Sequence, residues 1–321
     1  PPLQYGDYSR WWNRTFAGED QSRLDDQLAY WRSRMSGAMA PIALPTDRPR
    51  PATQTANGAT IHFAIDQAAT VALEALATTH HASLFVTLLT AFTTWLARMS
   101  NQSSVVVGTP VANRRDPALE GVVGLFVNTL PIQSDIPNGS SFVEVLHAMR
   151  DRVLDDLSHS DVPFELIVQA LQPERDLSRS PLFQVMFAQS SHLVPPFTLE
   201  QMSTKPVSIE TGLTKFDVTL FVDETVSDEG LTFTLEYNSD LFNSTTAQHM
   251  VNGFCTLLRD AVRRPTTAVG DLDVMSTEVQ ARLESWNGSQ APTVGPFLSA
   301  IDLFEQVVDA APERTAVEWR G

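Results

Sequence analysis

Residues Val105–Pro131, with the sequence VVVGTPVANRRDPALEGVVGLFVNTLP, carry the clearest signature of the fold. The stretch begins with the β-branched run Val105–Val107 and closes with a second apolar run, Gly124–Val127. Short apolar runs bounded by glycine, proline and asparagine are typical of buried strands. We therefore predict two strands that hold the polar loop Ala112–Glu120 between them. Such a loop is either a functional segment on a rigid frame or a surface turn with solvated charges.

The composition indicates an ordinary globular chain. Its 321 residues are 43% hydrophobic and 19% charged, as in typical soluble domains, and this length suggests about two domains. The net charge of −16 argues against nucleic acid or an anionic membrane as a partner. The single cysteine, Cys255, excludes an intramolecular disulfide framework. A reducing compartment is therefore expected, and we predict a cytoplasmic protein.

Hydrophobic periodicity predicts helices and strands mixed along the chain. The aromatic cluster Tyr5–Trp12 shows no clear period. Helices are predicted at about Asp20–Met35, Ala68–Thr79, Ser83–Met99, from a cap at Ser140 or Ser141 to Leu157, Phe164–Leu171, Ser244–Arg263, Thr277–Trp286 and from Ser299 onwards. Strands are predicted at Thr60–Ile65, Phe183–Gln189, Val207–Thr211, Phe216–Asp223 and Leu231–Tyr237, the last two as a hairpin. This mixture predicts an α/β or α+β fold.

Proline and glycine mark the connections between these elements. Four prolines in residues 40–52 predict an extended segment that wraps a surface. The run Asn287–Pro296, rich in glycine, proline and polar residues, predicts a linker before a new unit. The chain begins with proline and stops at Gly321 just after an apparent strand, TAVEW. We therefore expect a segment of a longer protein.

No motif in the chain makes a convincing catalytic set. His80 and His81 lie between two predicted helices, with no aspartate nearby in the sequence to orient an imidazole. The stretch His159–Glu165, HSDVPFE, brings histidine, aspartate and glutamate together at a helix entry. It is either a catalytic cluster or, as we favour, a cap in which Asp161 and its neighbours serve the helix that Pro163 begins. Zinc-ligand spacing, a phosphate loop and a G-x-S-x-G elbow are all missing.

Four stretches resemble motifs of the condensation domains of nonribosomal peptide synthetases. Tyr5–Trp11, YGDYSRW, resembles the motif Y-x-D-x-x-x-W, and Val123–Thr129, VGLFVNT, resembles V-G-x-F-V-N-T. His159–Glu165 resembles a motif of the type D-x-P-F-E, and Arg175–Phe183, RDLSRSPLF, resembles R-D-x-S-R-x-P-L-F. The four stretches follow the order of the family.

The resemblance implies which residues build these motifs and where the chain departs from them. Gln133 and Ser180 stand where the family often has arginine and asparagine, and neither change affects the assignment. The residues that match the motif positions are Tyr5, Asp7, Trp11, Asp161, Pro163, Phe164, Glu165, Arg175, Asp176 and Arg179.

The resemblance also implies a domain layout. The family fold is a pair of chloramphenicol-acetyltransferase-like halves around a tunnel, and this chain would be mainly the C-terminal half. Residues 1–273 would be the condensation part and residues 274–296 a linker. The sequence from Leu303 to Val317 resembles the opening helix and strand of an adenylation domain. Residues 297–321 would therefore be the truncated start of that domain.

The motif H-H-x-x-x-D-G of the family, with its presumed catalytic histidine, is not in these residues, and His80 and His81 do not replace it. The resemblance therefore implies no catalytic residue in this segment, which we expect to be inactive alone. Arg114, with Arg115 as the fallback, is expected to hold the aspartate of that motif. Asn128 is expected either to hydrogen-bond a pantetheine amide in the tunnel or only to cap a strand end.

The activity implied is amide formation between carrier-bound aminoacyl or peptidyl thioesters. The partners would be donor and acceptor peptidyl carrier domains, the N-terminal half of the domain, and the adenylation domain of the same module. Phosphopantetheine would be presented by the carriers, with no cofactor or metal bound directly by this chain. Two alternatives remain: an epimerisation or cyclisation variant, and a non-catalytic docking module for a carrier protein or tailoring enzyme. The sequence upstream of Pro1 would discriminate between the enzyme and the docking module.

Overall fold

The computed structural model describes residues 3–16, 18, 21–37, 40–190, 209–227, 230–287, 299–315 and 317–319. The chain divides into two compact units, Pro1–Met275 and Ser276–Gly321. The described helices of the first unit are α1 (Tyr5–Phe16), α2 (Ser22–Arg34), α3 (Gln67–Thr79), α4 (Leu84–Ser100), α5 (Phe142–Ser158), α6 (Phe164–Leu171) and α7 (Ser244–Arg263). Those of the second unit are α8 (Thr277–Trp286) and α9 (Ala300–Ala310).

One mixed sheet of six strands forms the centre of the first unit. Its strands are β1 (Gly58–Ala64), β2 (Ser104–Val111), β3 (Asn128–Asp135), β4 (Val185–Ser190), β5 (Val218–Ser227) and β6 (Gly230–Asn238). They lie in the order β1-β6-β5-β4-β2-β3. The pairs β2/β4 and β4/β5 are parallel, and the other three pairs are antiparallel.

Alternating residues of the sheet face a layer of helices and form the core. Phe63 of β1 and Phe233 of β6 are directly opposite in the register and stack at 5.1 Å. Both rings contact Phe254 of α7, which covers this face of the sheet. Every second side chain of β1 therefore faces this core and is shielded from water. This explains the alternation of apolar and polar residues from which the strand was predicted.

Helix α4 is the buried helix of the unit, as its apolar sequence predicts. Ser83 caps it by accepting a hydrogen bond from Val86 N at 3.2 Å. Phe92 and Trp95 are each 1% exposed and stack on one another. Among the described residues, no single helix is long and apolar enough to cross a membrane, and α3 and α4 meet that test only as a bent pair.

In the region that carries the resemblance, one element was not predicted and one prediction was wrong. The aromatic cluster Tyr5–Trp12 lies in an amphipathic helix, α1, for which no element was predicted. The run Gly124–Val127 is not a strand, and Leu125 is 76% exposed. The register explains this outcome, since β2 ends at Val111 opposite Asn128 and leaves the preceding residues without a pairing partner.

Other boundaries differ less from the prediction. Ser141, and not Ser140, caps α5 in a capping box with Glu144. The hairpin of β5 and β6 is confirmed. Part of the strand predicted at Val207–Thr211 and most of the linker run lie outside the described residues, and residues 209–211 are not in a strand. The described residues of the TAVEW stretch form no strand either.

The proline-rich segment, residues 40–52, is fixed along the sheet by side-chain hydrogen bonds. Ile42 N donates to Gln184 Oε1 at 3.1 Å. The Arg50 guanidinium forms a two-point ion pair with Asp217, and both side chains are largely buried. Because prolines remove backbone donors, such side-chain contacts are what holds a segment of this kind in place.

Candidate functional site

Asn128, the first residue of β3, joins the second of the resembling motifs to the third. Its side-chain nitrogen donates to Ser160 O at 2.9 Å and to Val162 O at 2.7 Å. Its side-chain oxygen accepts from Phe164 N at 3.0 Å and from Thr129 N at 2.9 Å. An asparagine amide has two donor hydrogens and two acceptor positions, so all four are occupied here. The amide therefore clamps residues 160–164 onto the sheet.

The prediction that Asp161 caps α6 was wrong. Proline occupies the N-cap position of that helix and makes no side-chain cap. The free amide of Phe164 is satisfied instead by Asn128, 36 residues earlier in the chain. Asp161 is engaged on the other side, by Arg115 at 3.3 Å. Capping by a distant residue leaves no local sequence signal, which explains the error.

Arg115 holds the same segment from the outside. Its guanidinium donates to Ser160 Oγ at 2.7 Å, to Leu157 O and to the Asp161 carboxylate. Its side chain is 47% exposed, so it is reachable from solvent. The loop that was predicted between two strands is therefore tied to the third motif through this arginine.

Arg114, the residue predicted to hold an aspartate of the missing motif, closes its own loop here. It donates to Leu119 O, to Glu120 O and, at 2.9 Å, to Val122 O. Its guanidinium lies over the Phe126 ring, 4.1 Å from the centroid. A cation in this position is attracted to the negative face of the ring. Its role toward the missing motif stays a prediction.

The first and second motifs pack against each other. Tyr5 Oη of α1 donates to Leu125 O at 2.9 Å. The Phe126 ring lies 5.3 Å from the Tyr5 ring and 4.6 Å from the Tyr8 ring. Gly124 has no room for a side chain, since a Cβ there would lie 2.2 Å from the Tyr5 ring. These contacts hold α1 against the second motif.

Two further residues of the first motif have separate positions. Asp7 caps the start of α1 by accepting from Gln4 N at 3.0 Å, and it also pairs with Arg10. Trp11 is 51% exposed. The neighbouring Trp12, which sequence reasoning did not single out, donates from Nε1 to Asp161 O at 3.0 Å. That indole joins the first motif to the third.

These contacts enclose a cleft of about 690 Å³ beside α1, which we call the α1 cleft. Tyr8 and Trp11 line one wall, and Asn113, Arg115 and Asp161 line the other. Burial and the nearby Asp161 raise the pKa of Tyr8, so its hydroxyl stays protonated and can donate. The cleft offers aromatic surface together with groups that donate and accept hydrogen bonds.

The fourth motif forms a compact turn at the other end of the site. Asp176 accepts from Ser178 N at 2.8 Å and Ser178 Oγ at 2.6 Å, and these hydrogen bonds lower the pKa of that carboxyl. Arg179 pairs with the same carboxylate at 3.2 Å, whereas Arg175 is exposed. These side chains order the turn that leads to β4.

A second cleft, of about 480 Å³, lies where the third and fourth motifs meet, and we call it the phenylalanine cleft. Phe183 lies between Phe164 and Phe216 at centroid distances of 5.3 and 5.4 Å. Glu165 and Ser180 also line it. Pro163 sets the start of α6, which delivers Phe164 and Glu165 to this cleft.

The histidines of the described residues lie away from both clefts. His80 lies in the turn after α3, directly before His81, and its Nδ1 is 3.2 Å from His147 Nε2. His159 stacks on Tyr30 at 3.7 Å. Across the described ranges, no group of three metal-ligating side chains is found.

Two other residues named from the sequence have structural surroundings. Gln133 donates to Ser104 Oγ. The Cys255 thiol is buried, and desolvation raises its pKa to about 11.

With this geometry in place, the family can be assigned. Residues 1–284 match the family model of the condensation domain. The chain belongs to the condensation-domain family.

Similar proteins agree with this assignment. The condensation-domain chain is 39% identical over 319 residues to one of the proteins that make up the linear gramicidin synthase of Brevibacillus parabrevis, covering 98% of this chain and 4% of that protein. It is 32% identical over 320 residues to surfactin synthase subunit 1 of Bacillus subtilis (strain 168), covering 99% of this chain and 9% of that protein. The chain thus spans only a small part of the relatives it matches.

Solved structures show the same fold. A four-domain nonribosomal peptide synthetase bound to AMP and glycine matches 80% of this chain and 20% of its own, at 26% identity and a TM-score of 0.73. The X-domain from teicoplanin biosynthesis matches 85% of this chain and 62% of its own, at 27% identity and a TM-score of 0.77. These matches confirm the predicted chloramphenicol-acetyltransferase-like fold, which is the mixed α/β fold of condensation domains. That the chain is mainly a C-terminal half stays a prediction.

Proposed function

We propose that this condensation domain is part of a nonribosomal peptide synthetase and joins two carrier-bound thioesters by amide formation. The observation that carries the proposal is that residues 1–284 match the family model and that Asn128 of the second motif is hydrogen-bonded to the third. The relatives that support the proposal are synthases and synthetases of peptides by name. We also propose that this chain acts in the cytoplasm, because its single cysteine fits a reducing compartment.

In the proposed reaction, the amine of the acceptor attacks the carbonyl carbon of the donor thioester. A C–N bond forms, the C–S bond breaks, and the donor arm leaves as a thiol while the amine gives up a proton. The work of such a site is to position two thioesters and help that proton leave. The described part of this chain offers no imidazole in either cleft. We therefore propose that the N-terminal half supplies the histidine and that this segment alone is inactive.

Donor and acceptor carrier domains would present the thioesters on phosphopantetheine arms. The α1 cleft fits part of such an arm, because Tyr8 and Trp11 offer apolar surface and Arg115 offers a donor at the rim. Asn128 fits it less well, since its amide is already saturated inside the chain. A pantetheine contact from Asn128 would require one of these four hydrogen bonds to break.

The tail belongs to the same proposal. Residues 297–321 would begin the adenylation domain of the module, after a linker at residues 274–296. In α9, capped by Ser299, the side chains of Ile301, Phe304 and Val307 are exposed. That apolar face would be completed by the rest of an adenylation domain. The order condensation then adenylation favours an elongating domain over an epimerisation or cyclisation variant.

A second candidate function is a non-catalytic docking module that recruits another enzyme. It is favoured by the similarity to an X-domain that has been solved in complex with OxyB, with 26% identity and a TM-score of 0.76 over 85% of this chain. An intact H-H-x-x-x-D-G motif upstream of this segment would support the condensing enzyme, and a degraded one would support docking.

The test uses the whole synthetase that contains this chain, with its donor and acceptor carriers loaded. We expect a dipeptidyl thioester on the acceptor carrier, detected by mass spectrometry of the intact carrier. A control with the upstream histidine changed to alanine should abolish the product. If the wild-type protein forms no amide but retains a partner enzyme in a pull-down, the docking function replaces the proposal.

A further inference from the structure

The phenylalanine cleft is built around a strained turn. Leu182 has a φ of +67°, a left-handed conformation that is unusual for a bulky side chain. Phe183 N donates to Pro181 O at 2.9 Å across it, which makes a γ-turn of the rare positive-φ kind. Strain of this sort persists only where the surroundings impose it, and it often marks a functional site.

The turn drives one ring into the floor of the cleft. Phe183 is 2% exposed, and its ring lies directly over Gly108 of β2. A Cβ at Gly108 would lie 2.2 Å from that ring, so only glycine allows this approach. Phe183 is thus a core ring beneath the cleft, and the partly exposed rings of Phe164 and Phe216 on either side of it give the cleft an aromatic floor.

The cleft walls are fixed by hydrogen bonds that leave four of its polar side chains unused. Gln54 N donates to Leu177 O at 2.8 Å, and Gln54 Nε2 donates to Lys215 O at 2.6 Å. In the part of the chain that the structure describes, four lining side chains make no hydrogen bond or ion pair: Thr129, Glu165, Ser180 and Lys215. Two hydroxyls, a carboxylate and an ammonium therefore remain available to a ligand.

The opposite charges at the rim select the class of that ligand. Glu165 and Lys215 do not pair with each other, so an anion would be repelled by one and a cation by the other. A neutral group with both a donor and an acceptor satisfies both, and the peptide amide is such a group. The aromatic floor adds a preference for an apolar side chain beside that amide.

We propose that the phenylalanine cleft binds a peptide segment, with an apolar side chain on the aromatic floor and its amides at the polar rim. Naming the aminoacyl or peptidyl chain as the natural occupant rests on the proposed function. The proposal that the cleft binds a peptide segment does not rest on that function. It would make this part of the domain sensitive to the identity of the chain being joined.

The test measures direct binding to the whole synthetase by saturation-transfer NMR. The probe is N-acetyl-phenylalanine N-methylamide, and the comparison compounds are N-acetyl-glycine N-methylamide, phenylacetate and phenethylammonium. The phenylalanine amide should bind more tightly than the other three. Tighter binding of phenylacetate, lost on Lys215→Ala, would overturn the proposal in favour of an anion site.

Two variants fill the cleft, and one control does not. Ser180→Tyr and the more exposed Lys215→Tyr should each weaken probe binding about tenfold, equivalent to about 1.4 kcal/mol. Thr79→Tyr, at the end of α3 outside the cleft, should leave it unchanged. A melting curve checks that each variant folds. If Ser180→Tyr does not fold, Lys215→Tyr provides the test of the filled cleft. Unchanged binding in a folded filling variant would overturn the proposal.

The same protein separates this proposal from the proposed function. If dipeptidyl thioester forms normally while the probe shows no binding, the cleft proposal fails alone. If the probe binds and the filling variants block it while no amide is ever formed, the amide-forming function fails and the peptide site stands.

Discussion

The side-chain nitrogen of Asn128 donates to Val162 O at 2.7 Å, which fixes the start of β3 to the segment that precedes α6. Because the same amide also serves Ser160 O and Phe164 N, two motifs that are separate in sequence share one anchor. Both clefts border this anchored segment, through Asp161 in the α1 cleft and Phe164 in the phenylalanine cleft. A change at Asn128 should therefore affect both clefts together.

Replacing Asn128 by alanine should cost on the order of 3 kcal/mol of unfolding free energy, since two backbone carbonyls and two backbone N–H groups lose their side-chain partner. Asn128→Asp should be nearly as damaging, because a carboxylate has no hydrogen to donate to Ser160 O and Val162 O. Urea unfolding of the whole protein measures both. If stability is unchanged and only the apparent affinity for a pantetheine thioester falls, Asn128 is a tunnel contact and not an anchor.

Arg114→Ala and Arg114→Lys should both abolish condensation in the intact domain with its N-terminal half. A planar guanidinium grips a carboxylate at two points, whereas lysine offers a single charge. In the pair that Arg114 is predicted to form with the upstream aspartate, loss of one buried partner would cost about 3–5 kcal/mol, so the alanine variant should also melt lower. Arg115→Ala is the matched comparison. Wild-type behaviour of Arg114→Ala with loss in Arg115→Ala would assign the role to Arg115.

Asp260 of α7 should make part of the stability depend on pH. Burial acts against its ionised form, but hydrogen bonds from Arg264, Asp273 N and Arg263 prevail and lower its pKa from 3.8 to about 2. A depressed folded-state pKa gives stability that is present above pH 4 and lost as the pH falls toward 2. Urea unfolding between pH 5 and 2 should show this loss in wild type and a smaller one in Asp260→Asn. Equal pH slopes for the two proteins would contradict the assignment.

The chain of 321 residues alone should form no amide bond when mixed with loaded donor and acceptor carriers. The reason is that the histidine motif of the family is not among its residues. Mass spectrometry of the acceptor carrier is the measurement, with the whole synthetase as the positive control. Turnover above the uncatalysed background would show that the motif is not required.

The tail from residue 297 to 321 should exchange its amide hydrogens almost without protection in this chain. Ile301, Phe304, Val307 and Val308 on α9 are 40% to 68% exposed, and a lone helix of this length is marginal in water. Hydrogen exchange with mass spectrometry tests this, with α4 as the protected reference. Strong protection of α9 would mean that the proposed domain boundary is wrong.

Local sequence determined those elements whose stabilising contacts are nearby in the chain. Helix α7 has the predicted bounds, Ser244–Arg263, because its apolar face repeats at the helical period. Ser83 and Ser276 cap α4 and α8, and each of these caps is local, since an N-cap needs only the next three residues. The motif pattern also identified the family before any geometry was considered.

Tertiary structure decided the candidate site, because its contacts cross long stretches of chain. Helix α1 is held by the packing of Tyr5 and Tyr8 on Phe126, a partner in a distant part of the chain that the local sequence does not identify. The cap of α6 comes from Asn128 instead of Asp161, and a hydrogen bond between residues 36 positions apart leaves no pattern in the sequence. The sequence by itself determined the family and most elements. Only the tertiary structure decided which polar side chains hydrogen-bond within the fold and which remain available to a ligand in the clefts.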